Sequence, residues 1–304
     1  MRLLQLLLIY ILLPLNENPA FAQDHIFPFN KPLSAADFEL KGKVKLIIEN
    51  QVIPENGKKI NNKGKCETLY RFNDKLFLTE EITSCYTEYD SIIHQSGNRY
   101  QYDYTQDSIK VTVFSVDSSG FRVIRYYDST NKIISALLFK KNKLIAKSHF
   151  HYDKHGNITC TSSEDFPHSS ITEKSYTYIF DENKQISIIE MSVSGANHKE
   201  KNIFSYNNKN QIEKIRTEYN NEEIFDEKKY KYDDRGNVIS EEFFGVSESI
   251  GYNGEGFLEA YKDTTRSITT FQLKYDEKGN WIKKTRISDG TEIFSLFRKI
   301  EYYD

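Results

Sequence analysis

Tyr275-Asp276-Glu277-Lys278-Gly279-Asn280-Trp281 has two close copies upstream, Tyr232-Asp233-Asp234-Arg235-Gly236-Asn237-Val238 and Tyr152-Asp153-Lys154-His155-Gly156-Asn157-Ile158. An aromatic, an acid, two free positions, a glycine, an asparagine and an apolar residue make a chain reversal. Asp opens a type I turn, where its carboxylate accepts backbone N–H groups. Three residues on, the chain needs a left-handed residue to close a bulged hairpin, and Gly156, Gly236 and Gly279 supply it. The aromatic before the turn and the apolar residue after it then face each other across the hairpin.

Looser copies stand at Tyr127–Ile133, Phe180–Ile186, Tyr206–Ile212 and Tyr252–Leu258, so the leading aromatics are spaced 25, 28, 26, 26, 20 and 23 residues apart. Asn131 and Asn210 take the left-handed place in two of them and Gly256 in another, while Lys184 breaks the pattern and predicts a different loop there. Period-2 alternation flanks the motifs, as in Lys229-Tyr230-Lys231-Tyr232, and marks strands with one buried and one wet face. Second turn signals fall midway: Ser194–Asn197, Tyr219–Glu222, Asp263–Arg266 and Ser288–Thr291. Each repeat therefore reads as two strands, and the whole as an all-β, curved antiparallel meander.

Upstream, Asp117–Gly120 fits a turn, Lys43–Asn50 reads as a strand, and Pro54–Lys65 as a loop. Residues 23–42, with Pro28 and Pro32, read as a lead-in arm with a short helical turn at Ser34–Phe38. Met1-Arg2, the apolar run Leu3–Leu13 and the small-x-small triplet Ala20-Phe21-Ala22 have the layout of a secretory signal peptide. The run is shorter than the ~20 residues a membrane-spanning helix needs, and no later segment of the mature chain reaches that length. The expected division is 1–22 signal peptide, 23–65 arm and first strand, and 66–304 repeat domain.

The chain carries 41 Lys and Arg against 44 Asp and Glu, a net charge of −3. That balance lacks the basic face of a nucleic-acid binder and the excess acidity of a disordered tail. The 21 Tyr and 20 Phe, against 2 Met and 1 Trp, suit pleated half-buried surfaces. In an exported chain Cys66 and Cys85 are close enough in sequence to bridge neighbouring strands, leaving Cys160 as a small core residue with a free thiol.

The copies at 152–157, 232–237 and 275–280 resemble the YD repeats of the RHS/YD-repeat family, over about residues 110–304. Long arrays in that family form β-spiral shells that enclose a toxin or stand as extracellular stalks. Here the array is short and the sequence stops at Tyr302-Tyr303-Asp304 without a cargo domain, which tells against a closed shell, and the curved meander is left to close or to stay open. The resemblance implies a short secreted bacterial protein.

Three constellations invite a chemical reading. His149, His151 and His155 lie close in sequence and can be read as a Zn or Cu site of a metal-dependent enzyme; against this, Phe150 and Tyr152 should take the buried face and leave the imidazoles outside. Asp153, Asp181, Asp233 and Asp276 look like a catalytic or calcium-binding row, but they stand where the turn needs an acceptor. Trp281 and the many Tyr and Phe can stack on sugar rings or, more simply, line the sheet's buried face. No known nucleophile, phosphate or dinucleotide motif is present. The expectation is an exported, non-enzymatic module, periplasmic, outer-surface or extracellular, without catalytic, cofactor-binding or metal residues, whose partner is a glycan or a cell-envelope protein.

Overall fold

The computed structural model describes residues 32–303 except 39, 53, 56–57, 60–65, 87–91, 118–119, 169, 197 and 253–257. Residues 1–22, read as a signal peptide, and Gly256 therefore lie outside the described residues.

A 3-10 turn at Ala35–Phe38 precedes β1 (Val44–Val52), the two-residue strands β2 (Pro54–Glu55) and β3 (Lys58–Lys59), and β4 (Cys66–Phe72). Then come β5 (Leu78–Tyr86), β6 (Ile92–Tyr104), β7 (Ser108–Ser115), β8 (Phe121–Asp128), β9 (Ile133–Lys140), β10 (Lys143–Tyr152), β11 (Ile158–Asp165) and β12 (Ser170–Phe180). The chain continues through β13 (Ile186–Val193), β14 (Lys199–Tyr206), β15 (Ile212–Tyr219), β16 (Asn221–Tyr232), β17 (Val238–Tyr252), β18 (Leu258–Tyr275), β19 (Trp281–Ser288) and β20 (Thr291–Tyr302).

From β4 to β20 each strand pairs antiparallel with the next, and β1 pairs with both β20 and β4. Eighteen strands thus close the antiparallel meander into a barrel, although the shortness of the array told against closure. Closure comes from β1, whose Ile47 faces Ile300 on one side and Tyr70 on the other. The pairing leaves neither end of the meander as a bare edge. A ring of this size encloses an interior wider than that of the ~8-strand barrels filled by their own side chains; at one end Ile47, Tyr127, Ile158 and Ile189 are fully buried in it.

The Tyr-Asp turns all lie at one rim. Asp153 Oδ1 accepts the N–H groups of His155 (2.8 Å) and Asn157 (2.9 Å), and the Gly156 N–H closes the turn on the Asp153 carbonyl (3.1 Å). The same bonds recur at Asp128, Asp181, Asn207 and Asp233. Each turn is followed by a register shift that sets the aromatic opposite the apolar residue, as with Tyr152 and Ile158 or Tyr232 and Val238.

Two details differ from the sequence reading. Lys184 adopts φ +63° and donates to the Asp181 carbonyl at 3.0 Å, so its turn is the same as the others. The side chain bears the left-handed strain because the Asp181 bonds fix the loop whichever residue stands there. Tyr252 and Leu258 pair at the far end of β17 and β18, and Asp263–Arg266 lies inside β18, opposite Phe244–Ser247. The segment read as one repeat and one turn is therefore a single long hairpin; Thr264 and Thr265 are β-branched and sit readily in a strand. β16 pairs β17 only as far as Val246, and β19 pairs β18 only from Thr269, so the remainder projects beyond the opposite rim as an arm. The turns at Ser194–Gly195, Tyr219–Asn221 and Asp289–Gly290 stand where the spacing put them.

The apolar core lines the lumen behind the Tyr-Asp rim. One cluster joins Phe38, Val44, Ile47, Phe72, Leu78, Val111 and Tyr127; the other joins Ile158, Tyr176, Ile189, Phe204, Ile212 and Tyr230. The lead-in segment plugs this end. Leu78 donates to the Leu33 carbonyl (2.9 Å), Ala35 to the Leu76 carbonyl (2.8 Å), and Phe38 stacks edge-on against Tyr70 and Phe72. Asn280 clamps Lys41 through both its amide groups, at 2.6 and 2.9 Å.

Candidate functional site

Alternation decides what faces the lumen. Ile47 is fully buried, so Glu49, two residues on, also points inward, opposite Arg298 and Thr68. Tyr70 faces Ile47, Glu81 faces Tyr70, and Asn98 faces Glu81, with Tyr100 two residues further. A charged group therefore sits just past the apolar layer. Arg298 pairs with Glu49 at 2.8 Å, both nearly buried, and its guanidinium lies 3.4 Å over the Trp281 ring. The Tyr100 hydroxyl donates to Glu81 at 3.3 Å. Burial pushes the Glu81 carboxyl up to about 7, against the Tyr100 bond and with the Glu49 charge adding to it. Burial, then Glu49 and Glu81, raise the Tyr70 phenol, with Arg298 opposing.

Tyrosine hydroxyls lace successive repeats together. Those of Tyr152, Tyr178, Tyr206 and Tyr232 donate to the carbonyls of Ile133, Ile158, Ile186 and Ile212, at 2.6–2.7 Å. Each reaches the first residue past the preceding turn. Phe180 has no hydroxyl to give, and Tyr178 takes over its role. In the last repeats the hydroxyl reaches the turn itself, Tyr275 bonding to Asp233 and Tyr302 to Asp276 (2.6 Å). The sequence signal was the choice of Tyr over Phe before Asp, which the turn alone does not require.

The residues proposed for chemistry do not converge. His149 and His151 are exposed on the outer wall, while Phe150 and Tyr152 turn inward and pack on the core. His155 is exposed in the turn. Among the described residues no three His, Cys, Asp or Glu are grouped to hold a metal ion. Asp153, Asp181 and Asp233 are occupied by their own turns, and Asp276 likewise holds the Asn280 N–H. Cys160 is not a core residue. Ile158 faces Tyr152 inside, and the extra residue Thr159 then sets Cys160 on the outer wall opposite His151 and Ser175. Burial, then Glu173, raises its thiol, which disfavours the reactive thiolate. Cys66 and Cys85 face each other on β4 and β5 and form the expected disulfide. Trp281 is turned into the lumen with one ring face covered by Arg298, so that face is closed to a sugar.

At the opposite rim, where β16 leaves the arm, a notch of about 430 Å³ is lined by Tyr219, Asn220, Ile224, Asp226, Val246 and Glu248. The Tyr219 hydroxyl donates to Asp226 at 2.9 Å. Phenol, carboxylates and apolar flanks suit a small hydroxyl-rich ligand.

The outer wall carries ion pairs: Lys214 and Lys229 on Glu227 (3.4 and 3.1 Å), Arg216 on Glu218 (2.8 Å) and Arg266 on Glu242 (2.7 Å). A lipid-facing barrel wall is apolar over ~25 Å; this stretch of wall is built for water.

Comparison with known proteins gives a family match. The family described as Teneurin YD-shell matches residues 86–299. A search of curated proteins found no match. Among solved structures, a porin-like protein from Bacteroides uniformis is 11% identical, covers 86% of this chain and 98% of its own, and has a TM-score of 0.44. The TcdB2-TccC3-Cdc42 structure is 12% identical over 75% of this chain, with a TM-score of 0.18; the match spans 19% of that longer chain. Overlaps of this quality carry no argument about function.

Proposed function

We propose, from the premise that the chain belongs to the Teneurin YD-shell family, that it is an exported, non-catalytic β-shell of the cell envelope or cell exterior that binds an envelope glycan. The observation that carries this reading is the closed ring, a rigid scaffold whose strands all have two neighbours, with an ion-paired outer wall. The exported location rests on the leader-like segment 1–22, and the disulfide between Cys66 and Cys85 fits an oxidising compartment. The glycan is met at the open rim, where the notch offers Tyr219, Asn220 and Asp226 to hydroxyl groups.

Two experiments test this. The mature protein, applied to an array of bacterial envelope glycans, should be retained by a defined subset, and Asp226→Asn should weaken retention. Retention of none, or equal retention by the variant, removes the binding reading. Fractionation of cells expressing the tagged full chain should place it outside the cytoplasm, beginning at Gln23. A cytoplasmic protein with residues 1–22 intact removes the exported one.

A further inference from the structure

Strand β1 closes the ring, and its middle is held by a buried charge cluster rather than by apolar packing alone. Glu49 of β1 is paired to Arg298 of β20. On the other side of β1, Tyr70 of β4 stands between that pair and Glu81 of β5. From β6, Tyr100 donates to Glu81, and Asn98 stands opposite it. From β8, Arg125 lowers the Tyr100 phenol against its burial and so is the next positive charge. Among the described residues Glu81 has no ion-pair partner; Arg298, the cation of the cluster on this side, is committed to Glu49. No cation acts on Glu81 itself, since Arg298 is paired to Glu49 and Arg125 acts on Tyr100, so ionising Glu81 sets a second carboxylate near Glu49 with no positive partner of its own.

We propose that Glu81 makes this clasp pH-sensitive: neutral, it accepts β1 tightly seated between β20 and β4, and ionised, its carboxylate repels that of Glu49 and loosens β1. The direction follows from linkage. The folded carboxyl titrates near 7 and the exposed one at its ordinary value of 4.5, so the closed form holds the proton more tightly. Stability from this group is full below the lower value and is lost as pH rises through the higher. Opening that exposes Glu81 should become roughly tenfold easier between pH 6 and pH 8.

Amide hydrogen exchange tests it, read as protection factors corrected for the intrinsic pH dependence. In the native protein, amides of Ile47–Gln51 and of β4 should lose about tenfold protection from pH 6 to pH 8. Those of Ile189 and Phe204, in the other core cluster, should hold. Glu81→Gln keeps an acceptor for Tyr100 and should abolish the change, with protection at pH 8 above that of the native protein at pH 6. Flat protection in the native protein overturns the proposal, as does an equal loss at Ile189 and Phe204 or a loss that persists in Glu81→Gln. The native titration decides the matter even if the variant does not fold.

Discussion

Removing a turn aspartate should cost different amounts in different repeats, and the difference measures the lacing between them. Asp181 accepts two backbone N–H groups, from Asn183 at 2.9 Å and Gln185 at 2.8 Å, both within its own turn. Asp233 accepts the equivalent pair, from Arg235 and Asn237 at 2.9 Å each, and in addition the hydroxyl of Tyr275 from the next repeat. Replacement by Ala removes the shared Asx bonds in both, about 1–2 kcal/mol. At Asp233 it also takes the charged acceptor from the part-buried Tyr275 hydroxyl, which keeps only the bond it accepts from the Asn237 amide, adding about 1.5–3 kcal/mol. Asp233→Ala should therefore destabilise by about 2.5–5 kcal/mol and Asp181→Ala by about 1–2. Urea denaturation of both variants, with Tyr275→Phe and the double variant Asp233→Ala/Tyr275→Phe, reads this directly. The double-mutant cycle should give a coupling of about 1 kcal/mol or more. Equal losses at Asp181 and Asp233, or a coupling within experimental error of zero, would refute the claim that the repeats are tied through the turn carboxylate.

Three further outcomes are expected. Lys184→Gly removes a side chain from φ +63° and should stabilise by about 0.5–1 kcal/mol in thermal denaturation. Gly97→Ala should destabilise strongly and lower the yield of folded protein, because a Cβ there would overlap the Glu81 carbonyl oxygen across the β5–β6 pair. Partial burial works against ionisation of Asp128, Asp153 and Asp233, but the bonds they accept outweigh it and hold all three below the ordinary carboxylate range. Their contribution is present above that range and is lost as pH falls through their folded values, so denaturation midpoints should drop below about pH 4, and less steeply in Asp153→Asn.

What the sequence made legible was local. The Tyr-Asp turn, the left-handed Gly and Asn, the opposition of aromatic and apolar residues and the outward histidines all follow from neighbours a few residues apart. Closure was not legible, because β1 meets β20 across most of the chain: Glu49 and Arg298 are 249 residues apart. The arm was misread because Tyr252–Leu258 has the composition of a repeat, and a hairpin tip selects the same residue types at either rim. Glu81 was invisible for another reason. It adjoins Glu80, and only the register decides which of the two turns inward. Glu80 lies outside, shared by Arg71 and Arg99. Cys160 was misplaced by the same kind of shift, since one extra residue, Thr159 between Ile158 and Cys160, reverses the faces of the strand that follows.

An open array can gain or shed a unit at its end with little consequence. A hoop cannot: its circumference, tilt and stagger are set together by how many staves it has. With β1 inserted between the last strand and β4, any duplication or deletion of one Tyr-Asp unit would change the gap that β1 must fill and the facing of Glu49 toward Arg298. Unit number in this protein is thus a quantity its geometry holds constant, and variation is channelled outward, into lengthened hairpins such as the one formed by β17 and β18.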